Sequence, residues 1–404
     1  MPLFDPTAFR REFSCFSSSD MLGIYLDNAA TTQLPDEVVQ TLVSYYQQGR
    51  SNVHRSSSLL ANQVTIAFEQ ARTTVAAWLG ADTEQLIWTS GSTDGLNRIA
   101  SGLTGQFQEN QAIIVSALEH HANLIPWQQV CQQNNLQLLI IPTTEAGDLD
   151  LTQFEYLLNT HSVALVACCH VANSLGTHNN VALISKLSHQ YGALCVIDGA
   201  QAVAHLDVDI KQLDCDAYVF SGHKMYAPTG IGALIGRIDF LERLTPTRFG
   251  GEMVREVGYY NASYRELPYR LEPGTPNIDG ALALAQAVTF IRRWHAGRHD
   301  YEQNLLNYTI AQLAAIDGVK LVATPLQQCA VIAFEVIDVH PFDITSWLNE
   351  QQIAIRCGYH CAMPITKALT RYGSIRVSLA SYNTQSDIDL FIQTLQQAID
   401  INRL

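Results

Sequence analysis

Apolar side chains at Leu60, Val64, Ala67, Phe68, Ala71, Val75 and Trp78 recur every three or four positions. That spacing sets them on one helix face, and the Gly80 that follows stands where a helix C-terminal glycine is favoured. The pattern therefore predicts a helix over 59–79. Shorter apolar runs come next: QLIWT (85–89), AIIVSAL (112–118), LQLLIIP (136–142), VALVACC (163–169), ALCVID (193–198) and AYVFS (217–221). Each has strand length, and helix-length amphipathic segments such as VALISKLSHQY (181–191) separate several of them. Apolar strands alternating with helices predict an α/β protein with a mostly parallel sheet covered on both faces.

The pattern changes after about residue 265. AVIAFEV (330–336), a helix beginning near Phe342, AIRCG (354–358), IRVSLA (375–380) and a last helix from about Ser386 predict a smaller α+β unit. Thr384 suits the N-cap of that last helix, with Asp387 three residues on. We expect a large domain over 21–265 and a smaller, C-terminal α+β domain formed by 266–404 together with 1–20. The chain shows no internal repeat and no low-complexity tract.

Length agrees with two domains, since 404 residues exceed one typical core. With 47% hydrophobic and 15% charged residues, the composition is that of a well-buried enzyme rather than a disordered chain. Lys and Arg number 24 against 38 Asp and Glu, a net charge of −14, which argues against non-specific nucleic-acid binding. A basic pocket for one small anion stays compatible with it. The opening MPLFDPTAFRREF has no apolar core segment, so no signal peptide is expected, and no run is long enough to span a membrane. Nine cysteines, an odd number with several inside apolar runs, predict reduced thiols and a cytoplasmic location rather than a disulfide framework.

Ligands of α/β proteins bind beyond the carboxyl ends of the strands, so the strand-to-helix junctions carry the candidate chemistry. In TSGSTDG (89–95), Ser92 and Thr93 place hydroxyls and amides at a helix start, either as an anion cradle or as an ordinary N-cap. In EHHAN (119–123), a histidine at a strand end either stacks on an aromatic ligand, acts as a base, or is structural. Asn173 in HVANSLGTHN is either a ligand contact or a polar turn. DGAQA (198–202) delivers Asp198, and SGHKMYAPTG (221–230) delivers Ser221, His223 and Lys224. A strand-end carboxylate with a strand-end His-Lys pair is more pointed than any of these alone. An aldehyde cofactor needs a lysine amine, and a pyridine nitrogen needs an acid to hold its proton.

RCGYHCAMP (356–364) carries Cys357 and Cys361 around Tyr359 and His360. A metal site wants about four soft ligands, and no second paired cluster accompanies this one, so no metal is expected. Filler, a regulatory disulfide and a nucleophile remain open. A free thiol has a pKa of about 8.5, so a nucleophile here would need help from His360 or from Arg356 and Arg376.

DNAATT (27–32), SNVHR (51–55), TSGSTDGLN, EHHAN, ANSLGTHN, DGAQA, SGHKMYAPTGIG, EPGTPN (272–277) and GYHCAMP occur in this order along nearly the whole chain. Together they resemble the cysteine desulfurases, pyridoxal-phosphate enzymes of the fold-type I, class V aminotransferase group, in the branch with a compact cysteine loop. The resemblance implies that Lys224 links the cofactor, Asp198 pairs with its pyridine N–H, Gln201 touches its phenolic oxygen and His120 stacks on the ring. It implies phosphate contacts from Ser92, Thr93, Ser221 and His223, and from Thr275 of a second subunit in a homodimer. Asn173 and Arg376 would hold the substrate carboxylate, with His54 nearby. Cys361 would be the nucleophile, turning L-cysteine into L-alanine and keeping the sulfur as a persulfide. His120 would handle the substrate thiol proton. A flexible loop carrying Cys361 would pass the sulfur to an acceptor protein in iron–sulfur cluster assembly or another sulfur pathway. The chain departs from the group's habit at Ser90, where arginine is frequent, at Ser92, where threonine is, and at Cys357, an extra thiol in place of threonine. A selenocysteine lyase acting on L-selenocysteine, another class V enzyme, and a catalytically silent sulfur-transfer scaffold are the competing readings.

Overall fold

The short apolar runs become strands of one sheet in the computed structural model, which describes residues 4–17, 23–55 and 57–403. They are β1 (Leu86–Thr89), β2 (Ala112–Ser116), β3 (Gln137–Ile141), β4 (Val163–Cys169), β5 (Leu194–Asp198), β6 (Ala217–Ser221) and β7 (Gly232–Gly236). Their spatial order is β1-β7-β6-β5-β4-β2-β3. Neighbours from β6 to β3 pair in parallel, whereas β7 runs antiparallel between β6 and β1. Side chains alternate between two cores, as the pleat requires. Ile113 and Val115 pack on one face, while Ile114 packs on the other. Strands buried on both faces explain why these runs read as continuously apolar.

The helices that cover the sheet include α1 (Asp36–Gln47), α2 (Leu59–Trp78), α3 (Ser92–Leu103), α4 (Ile125–Asn134), α5 (Leu151–Thr160) and α6 (Val181–Gln190). Ser58 caps α2 by accepting from the Ala61 N–H, and Gly80 takes a φ of 71° just past its end. A second, antiparallel sheet follows, with β8 (Val319–Leu321), β9 (Val331–Val336), β10 (Arg356–Gly358) and β11 (Ser374–Ser378) in the order β8-β9-β11-β10. Around it lie α8 (Arg298–Ala314), α9 (Pro341–Glu350) and α10 (Gln385–Asn402), with Phe334, Leu348, Ile375 and Phe391 in its own core. The Thr384 hydroxyl and the Asp387 carboxylate close a capping box at the start of α10. The large α/β sheet and the smaller α+β unit are those the sequence predicts.

Between the two lies α7 (Ile278–Arg293), whose Ala281, Leu284 and Val288 join the core of the large sheet beside α1 and α2. Phe9 and Phe13 join the same core, and the Phe9 ring sits 5.1 Å from that of Phe290. From this packing we propose that the smaller unit begins after α7 and that the N-terminal segment sides with the large sheet. The expected joint between residues 20 and 21 lies outside the described residues. Among the described residues no helix is long and apolar enough to cross a membrane.

Candidate active site

The carboxyl ends of the central strands and the loop after β10 enclose a cavity of about 290 Å³. It is bordered by Ser92 and Thr93 at the start of α3, His120 after β2, Asn173 after β4, Asp198 at the end of β5 and Gln201 just after it. Ser221, His223 and Lys224 come from the end of β6, Arg376 from β11 and Cys361 from the cysteine loop. Two expected site residues are elsewhere. His54 is held between Glu69 at 2.8 Å and Glu252 at 3.0 Å, and Thr275 is exposed, 3.5 Å from the Asn52 amide.

The Lys224 side chain retains some exposure along the cavity, but its amine is ringed by protein. Burial lowers its pKa from 10.5 to about 8; Asp198 and Cys361 resist that shift, while Arg376 and Arg356 add to it. Asp198 is fully buried, and burial raises its carboxyl, with the Ala200 N–H at 2.9 Å and Lys224 pulling the other way. His120 accepts the Ala122 N–H on Nδ1 at 3.0 Å, so its proton sits on Nε2. Burial, then Lys224, His121 and Arg376, push this imidazole down to about 3, so it is neutral at ordinary pH.

At the phosphate-sized end, the Ser92 N–H donates to Ser221 Oγ at 2.8 Å and the two hydroxyls lie 2.9 Å apart. The N-cap of α3 is Gly91, which has φ 146° and no capping side chain, and a Cβ there would meet Ser221 Oγ at 3.0 Å. Glycine supplies no capping side chain at this twelve-residue helix start, where the helix dipole favours an anion and only the Ser92 amide is taken, by Ser221.

At the opposite end Arg376 is buried. Its Nη2 donates to Asp27 Oδ1 at 2.9 Å and its Nη1 to the Asn173 carbonyl at 3.1 Å, while Nε has no partner. The Asn173 amide donates to the His360 carbonyl at 2.6 Å, leaving its Oδ1 buried without a partner. So oriented, Asn173 offers an acceptor, and a carboxylate would need the amide rotated and that bond given up. A buried group lacking its hydrogen bond costs about 1–3 kcal/mol, which a ligand can recover. The anion cradle, buried amine, buried acid and orphaned carboxylate-binding donor together fit a phosphate-bearing pyridine aldehyde and an amino acid.

Cys361 is exposed at the cavity mouth. Gly358, His360 and Cys361 have φ of 113°, 50° and 54°, so the loop folds back through left-handed backbone, at a cost of about 1–3 kcal/mol for each non-glycine residue. It is tethered to the EHHAN turn, since the His121 N–H donates to the Cys361 carbonyl at 2.7 Å and the Met363 N–H to His121 Nε2 at 3.2 Å. His360, one of the groups expected to help the thiol, is neutral at ordinary pH. It is buried with Nε2 on Ser374, and burial with Arg376 pushes it down to about 3. Cys357 is half-buried against the smaller core.

Sequence reasoning missed three contributors. Asp27, the first residue of DNAATT, shares its carboxylate between Arg376 and Arg356. Cys169 borders the cavity. Glu119, the first residue of EHHAN, is fully buried with a carboxyl raised to about 8 by burial, and it accepts from Ser116, the Asn123 amide and the Cys169 N–H. Its place at the head of a quoted motif was the available signal.

The family model described as aminotransferase class-V matches residues 24–391. A probable cysteine desulfurase of Pseudomonas putida is 40% identical over 404 residues, covering 99% of this chain and 100% of the relative. A probable cysteine desulfurase of Pseudomonas aeruginosa is 39% identical, covering 98% and 99%. Among solved structures, the apo cysteine desulfurase of Thermococcus onnurineus NA1 superposes with a TM-score of 0.94 at 33% identity, covering 99% of each chain. The cysteine desulfurase CsdA of Escherichia coli, in its S-sulfonic acid form, gives 0.91 at 34%, covering 99% and 100%.

Proposed function

This chain belongs to the aminotransferase class-V family, among its cysteine desulfurases, and from that premise we propose that it converts L-cysteine to L-alanine and keeps the sulfur on Cys361. The observation that carries the reading is the meeting of Lys224, Asp198 and Cys361 at one cavity, an amine whose pKa burial lowers to about 8 beside a buried acid and an exposed thiol.

Pyridoxal 5'-phosphate, when bound, supplies an aldehyde for amines and a ring that withdraws electrons from the substrate α-carbon. The residues fit it as follows. Ser92, Thr93, Ser221 and His223 would hold the phosphate, Asp198 would keep a proton on the ring nitrogen, Gln201 would serve the phenolic oxygen and His120 would cover the ring. His120 offers Nε2–H as a donor toward the substrate sulfur, because its Nδ1 is spent on Ala122. Arg376 binds the substrate carboxylate with its unpartnered Nε, a charge-assisted bond. Lys224 Nζ, partly unprotonated near neutral pH, would be the amine that holds the aldehyde and the base for the substrate α-proton. The Cys361 thiolate attacks the substrate sulfur; the new S–S bond forms as the C–S bond breaks, and the carbon skeleton takes up a proton to leave as alanine.

Thr275 and His54 are outside the cavity of their own chain. We place Thr275 on the phosphate of a second copy in a homodimer, a reading supported by its exposure and by the wholly exposed Tyr259 and Tyr260 between strands Val254–Val257 and Ala262–Tyr264. Nine free thiols support a reducing compartment. An assay for alanine from L-cysteine, with intact-protein mass measurement, tests the activity. Alanine together with an added mass of about 32 daltons on Cys361 is expected of a persulfide, and alanine without that label would overturn it.

A further inference from the structure

A second cavity, of about 760 Å³, lies where α6 and α8 begin, and its volume is within the range of small-molecule sites. The end of β4 separates it from the catalytic cavity. Cys169 and Val171 border the catalytic one, and His170 between them borders the other, as strand alternation requires. Leu149, Ile184, Leu206 and Leu213 give this second cavity apolar walls. Two polar side chains in it, His170 and Asn179, each keep only 5% of their surface exposed. They stand opposite each other. Val171 bridges antiparallel to His178, and the Asn179 N–H donates to the His170 carbonyl at 2.9 Å. Residues so paired hold their Cβ atoms about 4.5–5.5 Å apart on one face.

The hydrogen bonds of this pair fix what it offers. Tyr218 is fully buried, and its hydroxyl has one partner among the described residues, His170 Nδ1 at 3.0 Å. The phenol must donate, since its hydrogen would otherwise be buried unpaired, so the His170 proton sits on Nε2. That N–H has no partner among the described residues. The Asn179 amide donates to the Cys169 carbonyl at 2.8 Å, which leaves Asn179 Oδ1 unpaired as well. Neither free atom is sealed inside the protein, so one donor and one acceptor open side by side onto the cavity. The half-buried His178 ring, 5.3 Å from that of His170, adds a flat aromatic wall. Although His295 and His299 also border the space, no cluster among the described residues is disposed to hold a metal ion. Asp148, Asp207 and Asp300 border it with no lysine or arginine, which disfavours phosphate. We propose that this cavity binds an uncharged nucleobase or nucleoside, whose ring acceptor takes the His170 Nε2–H and whose adjacent N–H donates to Asn179 Oδ1. Each common base carries such an acceptor–donor pair on its Watson–Crick edge, and its face stacks on an aromatic side chain. The proposal stands apart from the desulfurase reading.

Titration calorimetry on the pyridoxal-loaded protein tests this with four probes: uridine, 3-methyluridine, uridine 5'-monophosphate, and a blocked alanine peptide that carries a carbonyl and an N–H without a ring. Uridine should bind with a Kd below about 1 mM, which ligands of its size reach in a formed pocket. 3-Methyluridine should bind about tenfold more weakly or worse, because methylation removes the donor and leaves Asn179 Oδ1 unpaired. The monophosphate should lose a similar factor at low salt to the three carboxylates, and the peptide should lose it for want of a stacking face. Ala182→Trp fills the cavity from α6 without removing a side-chain hydrogen bond, and should abolish uridine binding. The double variant His170→Phe/Tyr218→Phe leaves neither partner of their bond orphaned, and should weaken uridine about tenfold. No uridine binding, equal binding of 3-methyluridine, a preference for the monophosphate, a peptide that binds as well as uridine, or binding undiminished in either variant would overturn the proposal.

Discussion

Arg376 Nη2 and Asp27 Oδ1 lie 2.9 Å apart, and Asp27 spends its other oxygen on Arg356, also at 2.9 Å. One carboxylate thus fixes two guanidiniums at the edge of the cavity and leaves a net positive charge there. Charge-assisted hydrogen bonds are worth about 1.5–3 kcal/mol, so Arg376→Ala should raise KM for L-cysteine by roughly tenfold to a hundredfold. Asp27→Asn should raise it less, because the guanidinium remains but is no longer held. Steady-state kinetics on both variants check this, and an unchanged KM in Arg376→Ala would remove that residue from the substrate site.

Lys224 should react as an amine of pKa about 8 rather than 10.5. The unprotonated form is the nucleophile, so capture of pyridoxal phosphate by the cofactor-stripped protein should accelerate as pH rises through about 8 and level off above it. Stopped-flow absorbance across that window checks the sign. In Lys224→Ala, borohydride should no longer fix the cofactor to the chain, and a cofactor still fixed would assign the link to another lysine.

Much of this arrangement is legible in the sequence. VALVACC and AYVFS mark β4 and β6 residue for residue, because strands buried on both faces leave unbroken apolar runs. GALIG gave no comparable signal, being short and bounded by glycines, yet as β7 it joins β6 to β1. The strand-end motifs meet at one cavity because the parallel sheet brings their ends together. What escaped is long-range. Asp27 meets Arg376 only because residue 27 bridges to Ser378, across most of the chain length. His360 looked like a helper for Cys361 by adjacency, and its burial on Ser374 is a tertiary fact that no local pattern encodes.

Two buried histidines and the half-buried His120 give stability a direction in pH. Burial pushes His120, His170 and His360 each down to about 3, whereas the unfolded chain binds their protons near pH 6.5. Their lowered pKa makes the contribution full above about 6.5 and progressively lost as pH falls toward 3, at up to about 1.4 kcal/mol per pH unit for each. Glu119, raised to about 8, acts in the opposite sense and strengthens the fold as pH falls from about 8 to about 4.5. Urea unfolding as a function of pH should therefore show a steeper acid loss in Glu119→Gln than in the parent below about pH 6.5, and a parallel pair of curves would contradict these shifts.

Cys361 alone among the nine thiols is exposed, while six are buried and Cys15 and Cys357 are half-buried. Thiol nucleophilicity needs access as well as thiolate, so the sulfur label should fall on Cys361 and on no other cysteine. Cys361→Ser should keep the bound cofactor's absorbance, because the pyridoxal contacts we propose come from the large sheet, and should lose alanine formation by on the order of a hundredfold or more. Cys357→Ser should change neither. L-Selenocysteine gives a control, since selenium can leave without a thiol nucleophile. Cys361→Ser that still releases selenium but not sulfur would confirm an intact cavity lacking only its attacking group. Undiminished alanine formation from L-cysteine in that variant would show that another group breaks the carbon–sulfur bond.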